Sequence, residues 1–207
     1  MKGRFITVEG IEGVGKTTQL AFIESELMKC GHDVVLTREP GGTGLGEAIR
    51  EILLNEKDLR IAGRTELLLI FSARLQHLEE VIRPALESGK TVLCDRFTDA
   101  TYAYQGGGRG IPREEIALLE QFVQKGLRPD HTIVFDVPVE VGLARANKRG
   151  EADRFESETV AFFEKVRQCY LMRAMDEPER VHVINTDRPV AAVHEDIVKW
   201  LAEVKLC

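Results

Sequence analysis

What the chain lacks narrows the reading first. Its four cysteines, Cys30, Cys94, Cys169 and Cys207, contain no C-x-x-C pair. That argues against a structural zinc site and fits a chain kept reduced in the cytoplasm. There is no basic excess: 28 Lys and Arg stand against 34 Asp and Glu, for a net charge of −6. The electrostatic footprint of a nucleic-acid binder is missing, and solubility accounts for the acidity. No apolar run is long enough to span a bilayer, and the first residues lack the apolar stretch of a secretory leader. The sequence holds no repeat and no low-complexity segment. At 207 residues, a single domain over 1–207 with a sizeable core is expected.

What is present is an alternation. Short apolar runs at Arg4–Glu9, His32–Glu39, Thr91–Phe97, Asp130–Pro138 and Val181–Asn185 predict five strands. Helical patterns fall between them, at 17–31, 45–54, 65–89, 113–126, from 139 onward, at 158–175 and at 190–204. This order predicts an α/β fold with a five-stranded parallel sheet and helices on both faces. Ligands of such sheets sit at the carboxyl ends of strands. The ends here carry Glu9, then Thr37-Arg38-Glu39, then Asp95-Arg96-Phe97, then Asp136.

The stretch "VEGIEGVGKTTQL", Val8 to Leu20, places Gly10, Gly15, Lys16 and Thr17 in the spacing G-x-x-x-x-G-K-[ST]. A predicted strand precedes it and a predicted helix follows, which is the context a phosphate-binding loop requires. The backbone N–H groups of Gly10, Gly13, Val14, Gly15 and Thr18 can surround an anion, helped by the positive end of the helix. Lys16 would reach the β- and γ-phosphates, and the Thr17 hydroxyl would ligate Mg²⁺. The chain is therefore expected to bind a nucleoside triphosphate.

Other clusters are less specific alone. Arg38, before the Pro-Gly-Gly of "TREPGGTGLGE", is either a bidentate phosphate clamp or a surface arginine. Asp95 and Arg96 end a strand, where an acid typically serves the Mg²⁺ shell and the arginine could clamp a second phosphate. Phe71 and Arg74 share a helix face. On periodicity alone they are a core phenylalanine and an ordinary arginine, while a base pocket could use both. "TDATYAYQGGGRG", Thr98 to Gly110, has the composition of a polar, turn-rich loop. Leu143–Glu156 concentrates Arg145, Lys148, Arg149 and Arg154, either as a solvated helix or as a lid over a transferring phosphoryl group. Arg145 and the segment Asn185–Pro189 are candidates for adenine contacts. A GTP-driven switch would need an Asn-Lys-x-Asp stretch, and Asn147-Lys148-Arg149-Gly150 lacks the Asp. A structural ATPase would not explain arginines at two neighbouring strand ends.

Taken in order, "EGIEGVGKTT", "TREPGGT", "LLLIFSAR", "DRFTDATYAYQGGGRG", "RPDHTIVFDVPVEVGLAR" and "RGEADRFE" resemble the thymidylate kinase family, in its bacterial form, over essentially the whole chain. The resemblance implies a three-layer P-loop NTPase fold with a short lid at about 143–156. It implies Mg²⁺-dependent transfer of the ATP γ-phosphoryl group to dTMP, and a homodimer. By the same resemblance Arg38 and Arg96 grip the dTMP phosphate and Asp95 lies near the metal. Phe71 stacks on thymine, Arg74 bonds its O4, and Thr101 and Gln105 complete the pocket. Tyr104 crowds the 2′ position of the sugar, and Glu12 faces its 3′-hydroxyl. Lys16 and the lid arginines Arg149 and Arg154 attend the transfer. The strand end reads Asp-Arg-Phe where many relatives have Asp-Arg-Tyr, and position 147 is Asn.

Overall fold

The computed structural model describes residues 3–56, 59–148, 154–156 and 158–207. The predicted strands form as β1 Phe5–Glu9, β2 Val34–Arg38, β3 Thr91–Asp95, β4 His131–Asp136 and β5 Val181–Asn185. Every pairing is parallel, in the order β2-β3-β1-β4-β5. The helices are α1 Lys16–Lys29, α2 Gly44–Leu54, α3 Gly63–His77, α4 Arg83–Glu87, α5 Thr98–Thr101, α6 Arg113–Gln124, α7 Val139–Ala146, α8 Val160–Asp176 and α9 Val190–Glu203.

The strand order makes the site. The chain leaves β1 toward β2 and leaves β3 toward β4, in opposite directions. Right-handed crossovers then put the two connections on opposite faces. The core confirms this: Ile6, Val8 and Leu93 pack with Leu20, Ile23 and Leu27 of α1 on one face. Phe5, Val92 and Cys94 pack with Ile116 and Val123 of α6 on the other. The loops after β1 and β3 therefore part, leaving a crevice at the carboxyl end of the sheet.

Three expectations are corrected. The single helix expected over 65–89 is α3 and α4 joined by a π-helical turn, Leu78–Ile82. Pro84 has no N–H to offer the carbonyl four residues back, and its ring crowds that carbonyl. The polar loop expected at Thr98–Gly110 is largely helical, as α5 followed by a π-helical stretch, Tyr102–Gly108. Its glycines serve packing: a Cβ on Gly108 would sit 2.3 Å from the Phe162 ring, and one on Gly107 would sit 2.9 Å from the Lys165 carbonyl. Bare backbone lets this segment lie against α8. Finally, Cys30 and Cys207 form a disulfide with Cα atoms 5.3 Å apart, across 177 residues of sequence. Sequence spacing carries no trace of so distant a contact. Cys94 is buried as expected, and burial pushes its thiol up.

One buried ion cluster ties α5 to the far side of the sheet. Asp99, 1% exposed, accepts from both ends of the Arg180 guanidinium at 2.7 and 2.9 Å and also from Arg173. Burial alone would raise its carboxyl, but the hydrogen bond from Arg180 and the charges of Arg173 and Arg180 outweigh that and bring it down to about 2. A depressed pKa gives stability that is present above the unfolded value, 3.8, and lost as pH falls through about 2. Asp99→Asn should cost about 1–3 kcal/mol at neutral pH, because Arg173 and Arg180 lose a charged partner and keep Glu177. The gap from the unmodified protein should narrow from about pH 4 downward and nearly close near pH 2. Denaturant melts at about pH 7 and about pH 2 check both points.

Candidate active site

The phosphate-binding loop follows β1 directly. Its glycines at 13 and 15 have φ of 74° and 88°, the left-handed region. At Gly13 even the space is closed, since a Cβ there would sit 1.8 Å from the Gly142 carbonyl. Gly15 caps α1, so the first N–H groups of that helix open into the crevice. Lys16 curls back, with its Nζ 3.3 and 3.4 Å from the Gly10 and Ile11 carbonyls. Burial lowers its ammonium to about 8, with Arg96 pushing the same way and Asp95, Glu12 and Glu9 opposing.

Arg96 faces this loop from the end of β3. Its φ is +69°, a conformation that costs a non-glycine residue on the order of 1–2 kcal/mol. The guanidinium is held on three sides. Nη2 donates to Glu12 at 2.9 Å, Nη1 donates to the Tyr170 hydroxyl at 3.3 Å, and the Tyr104 ring lies beneath it at 4.8 Å. Tyr104 in turn donates to both oxygens of Glu12. Behind them Glu9 is fully buried. Burial and the nearby Asp99 raise its carboxyl to about 7 against the pull of Arg96, Tyr170 and the Phe97 N–H.

One cavity joins these groups. Its wall includes Glu12, Gly13, Val14, Gly15, Lys16 and Thr17 from the loop side, and Asp95 and Arg96 from β3. It continues to Arg74, Thr101, Tyr104 and Gln105. At that end the Arg74 fork is set by its neighbours. Nε donates to Glu39 at 2.7 Å, and Nη2 donates to Thr101 and to the Phe97 carbonyl. His77 holds the other oxygen of Glu39 and meets Thr37 at 2.7 Å. The remaining Nη1 of Arg74 is buried with no hydrogen-bond partner among the described residues. Arg74 lines the cavity, so this donor is a candidate for an acceptor on a ligand.

Several expected site residues stand elsewhere. Gly10 lies behind the wall, its carbonyl taken by Lys16, and Thr18 points to solvent with its N–H bonded to the Gly15 carbonyl. Arg38 does not reach the cavity: it pairs with Glu47 at 2.8 Å in a half-exposed bridge, and Glu47 is pinned by the Gly42 N–H. Arg50 of α2 lines the cavity instead. Burial lowers its guanidinium, and the like charges of Arg38 and Arg96 add to that. Phe71 is 2% exposed and lies under Arg74, centroid distance 4.9 Å, so it supports the fork rather than the wall. Ile70, Phe97 and Ala100 are among the apolar residues that line the cavity. Arg154 turns away from the phosphate loop, donating to Glu66 at 2.6 Å and to the Leu53 carbonyl at 2.7 Å. Glu66 also accepts from Gln105 at 2.9 Å. Arg149 lies outside the described residues. Arg145 meets the loop after β5, donating to the Thr186 carbonyl and Asp187. Arg50 had a signal in the sequence: it shares a helix face with Leu53 and Leu54, three and four residues on, and all three line the cavity.

Among the described residues no group of three or more His, Cys, Asp or Glu could hold a metal by itself. Asp95 Oδ1 is nevertheless buried without a hydrogen-bond partner, and Thr17 lines the same cavity. That donor set is too small for an all-protein cage. It suits Mg²⁺, which keeps its waters and takes further oxygens from phosphates.

A scan of family models matches "Thymidylate kinase" over residues 8–197. The chain is 61% identical over 197 residues to a thymidylate kinase of Pseudomonas putida (strain GB-1), covering 95% of this chain and 94% of that one. It is 57% identical over 204 residues to that of Pseudomonas syringae pv. tomato, covering 99% and 97%. Among solved structures, thymidylate kinase from Ehrlichia chaffeensis superposes with a TM-score of 0.80 at 34% identity, covering 97% of this chain and all of that one. The phosphate loop and the Asp-Arg strand end share one cavity, and by these matches the chain belongs to the thymidylate kinase family.

Proposed function

We infer that this chain transfers the γ-phosphoryl group of ATP to dTMP, giving dTDP and ADP. The observation that carries this is a single cavity with a phosphate-binding loop at one end and the unpaired Arg74 donor at the other. We read 1–207 as one kinase domain with a lid at about 143–156.

The acceptor is already an anion, so no strong general base is needed. The difficulty is to bring two polyanions together. Lys16, Arg96 and Arg50 meet the phosphates in a site where positive groups crowd one another and an anion relieves the crowding. Arg50 takes the place first assigned to Arg38 on the dTMP phosphate. Thr17 and Asp95 would hold Mg²⁺, which when bound neutralises charge on the nucleotide phosphates. Arg74 reads a base acceptor, Thr101 and Gln105 close the pocket, and Tyr104 and Glu12 border the sugar. Phe155 packs edge-on against Tyr104 at 5.8 Å, covering this end and excluding water. The roles of Arg149 and Arg154 in transfer stay a proposal, and the Arg154–Glu66 pair supports a lid contact near the base rather than at the phosphates.

The use of ATP supports a cytoplasmic setting for this reading. Disulfides are uncommon there, but the Cys30–Cys207 bridge stands at the opposite end of α1 from the loop. No helix among the described residues is long and apolar enough to cross a membrane. A nucleic-acid partner is not proposed. A second copy of the chain is. Helices α3 and α6, joined by the Arg64 fork on Glu115, turn Leu68, Leu75, Leu118 and Phe122 outward, and Phe122 is 73% exposed.

Three outcomes are expected. ADP release with ATP and Mg²⁺ should rise strongly with dTMP, less with dUMP and least with the ribose form. Acceleration by a different monophosphate would overturn the base pocket, and none by any would overturn the kinase reading. Arg96→Ala should lower kcat about a hundredfold, the scale of losing one transition-state donor, while Arg50→Ala should act mainly on the KM for dTMP. Sedimentation should show a dimer that Phe122→Glu shifts toward monomer; a monomer in the unmodified protein would end the dimer proposal.

A further inference from the structure

Glu9 does not line the cavity, yet its two contacts both bear on Arg96 through a neighbour. One oxygen accepts the Phe97 N–H at 2.7 Å, fixing the peptide that follows Arg96. The other accepts the Tyr170 hydroxyl at 2.8 Å, and that hydroxyl accepts from Arg96 Nη1. On the strand side the Arg96 N–H donates to the Val8 carbonyl, the residue before Glu9. Arg96 is thus gripped through its backbone on both sides and through its guanidinium. Its left-handed φ of +69° is a conformation an arginine does not hold without such restraint. A buried carboxylate is costly to keep, and a neutral side chain could fill the same space; the paired contacts give the acid a purpose.

We propose that Glu9 is a positioning residue for phosphoryl transfer, holding Arg96 in its strained backbone conformation directly and aiming its guanidinium through Tyr170. A glutamine at position 9 has only one acceptor oxygen, so it cannot serve both the Phe97 N–H and the Tyr170 hydroxyl in the present arrangement. A phenylalanine at position 170 removes the side-chain link and leaves the backbone link. Misplacing a catalytic group by about 1 Å can cost about a hundredfold in rate.

The inference rests on the kinase reading, which dTMP-dependent ADP release by the unmodified chain tests separately. Glu9→Gln should lower kcat about 10- to 100-fold with the KM for ATP unchanged, and Tyr170→Phe should lower it less. In an Arg96→Ala background both substitutions should have almost no further effect on kcat, because residues acting through one another are not additive. Equal loss in both backgrounds would show that Glu9 acts on the fold in general and would overturn the proposal. Should Glu9→Gln not fold, the Tyr170→Phe pair tests the guanidinium half of the proposal, and equal loss in both backgrounds overturns it. A crystal structure of either variant gives a readout independent of turnover. Arg96 should leave its present φ or its Glu12–Tyr170 cradle, and an unmoved Arg96 would overturn the proposal.

Discussion

Lys16, Arg50 and Arg96 carry like charge into one cavity, and the protein must hold them there before any phosphate arrives. Repulsion alone would drive these side chains outward into solvent. Fixed acceptors prevent it: the Gly10 and Ile11 carbonyls on Lys16, the Pro40 carbonyl on Arg50, and Glu12 with the Tyr170 hydroxyl on Arg96. Glu9 stands behind that cradle through Tyr170, its carboxyl pushed up to about 7 by burial. The site is thus a set of charges fixed in advance, the arrangement that makes electrostatic stabilisation effective when negative charge is shifted between phosphates.

The architecture follows from where those charges must stand. Parallel strands bring the ends of β1 and β3 side by side, with Val8 paired to Asp95 in register. The first helix begins at the phosphate loop, and the second connection departs on the other face. The close contact of Gly107 and Gly108 with α8 then brings Tyr170 to the Arg96 cradle while Tyr104 and Gln105 face the cavity. A bulkier residue at either glycine would push α8, and Tyr170 with it, off the arginine.

The frame was legible because its signals are local. Each strand is a short apolar run, each long helix shows its period, and the phosphate loop is a contiguous motif. What was illegible depends on partners distant in sequence. Arg38 ends a strand, and only its pairing with Glu47, nine residues on, bridges it away from the cavity. Phe71 and Arg74 share a face, but Phe97 on the other side of the guanidinium decides that the ring is buried beneath the fork. The glycines after Tyr104 signal a turn to any local reading, whereas Phe162 and Lys165, more than fifty residues on, give them their use. Glu9 ended a strand like any other acid until Phe97 and Tyr170 were placed around it.

The left-handed backbone of Arg96 and its side chain draw on one set of bonds. Glycine adopts that conformation freely, so Arg96→Gly would release on the order of 1–2 kcal/mol of strain. The same change would leave Glu12 without its ion-pair partner and empty the cradle of Tyr104 and Tyr170, which costs more. The contacts that aim the guanidinium are thus also the ones that hold the strained backbone, and stability and chemistry cannot be traded separately at this position.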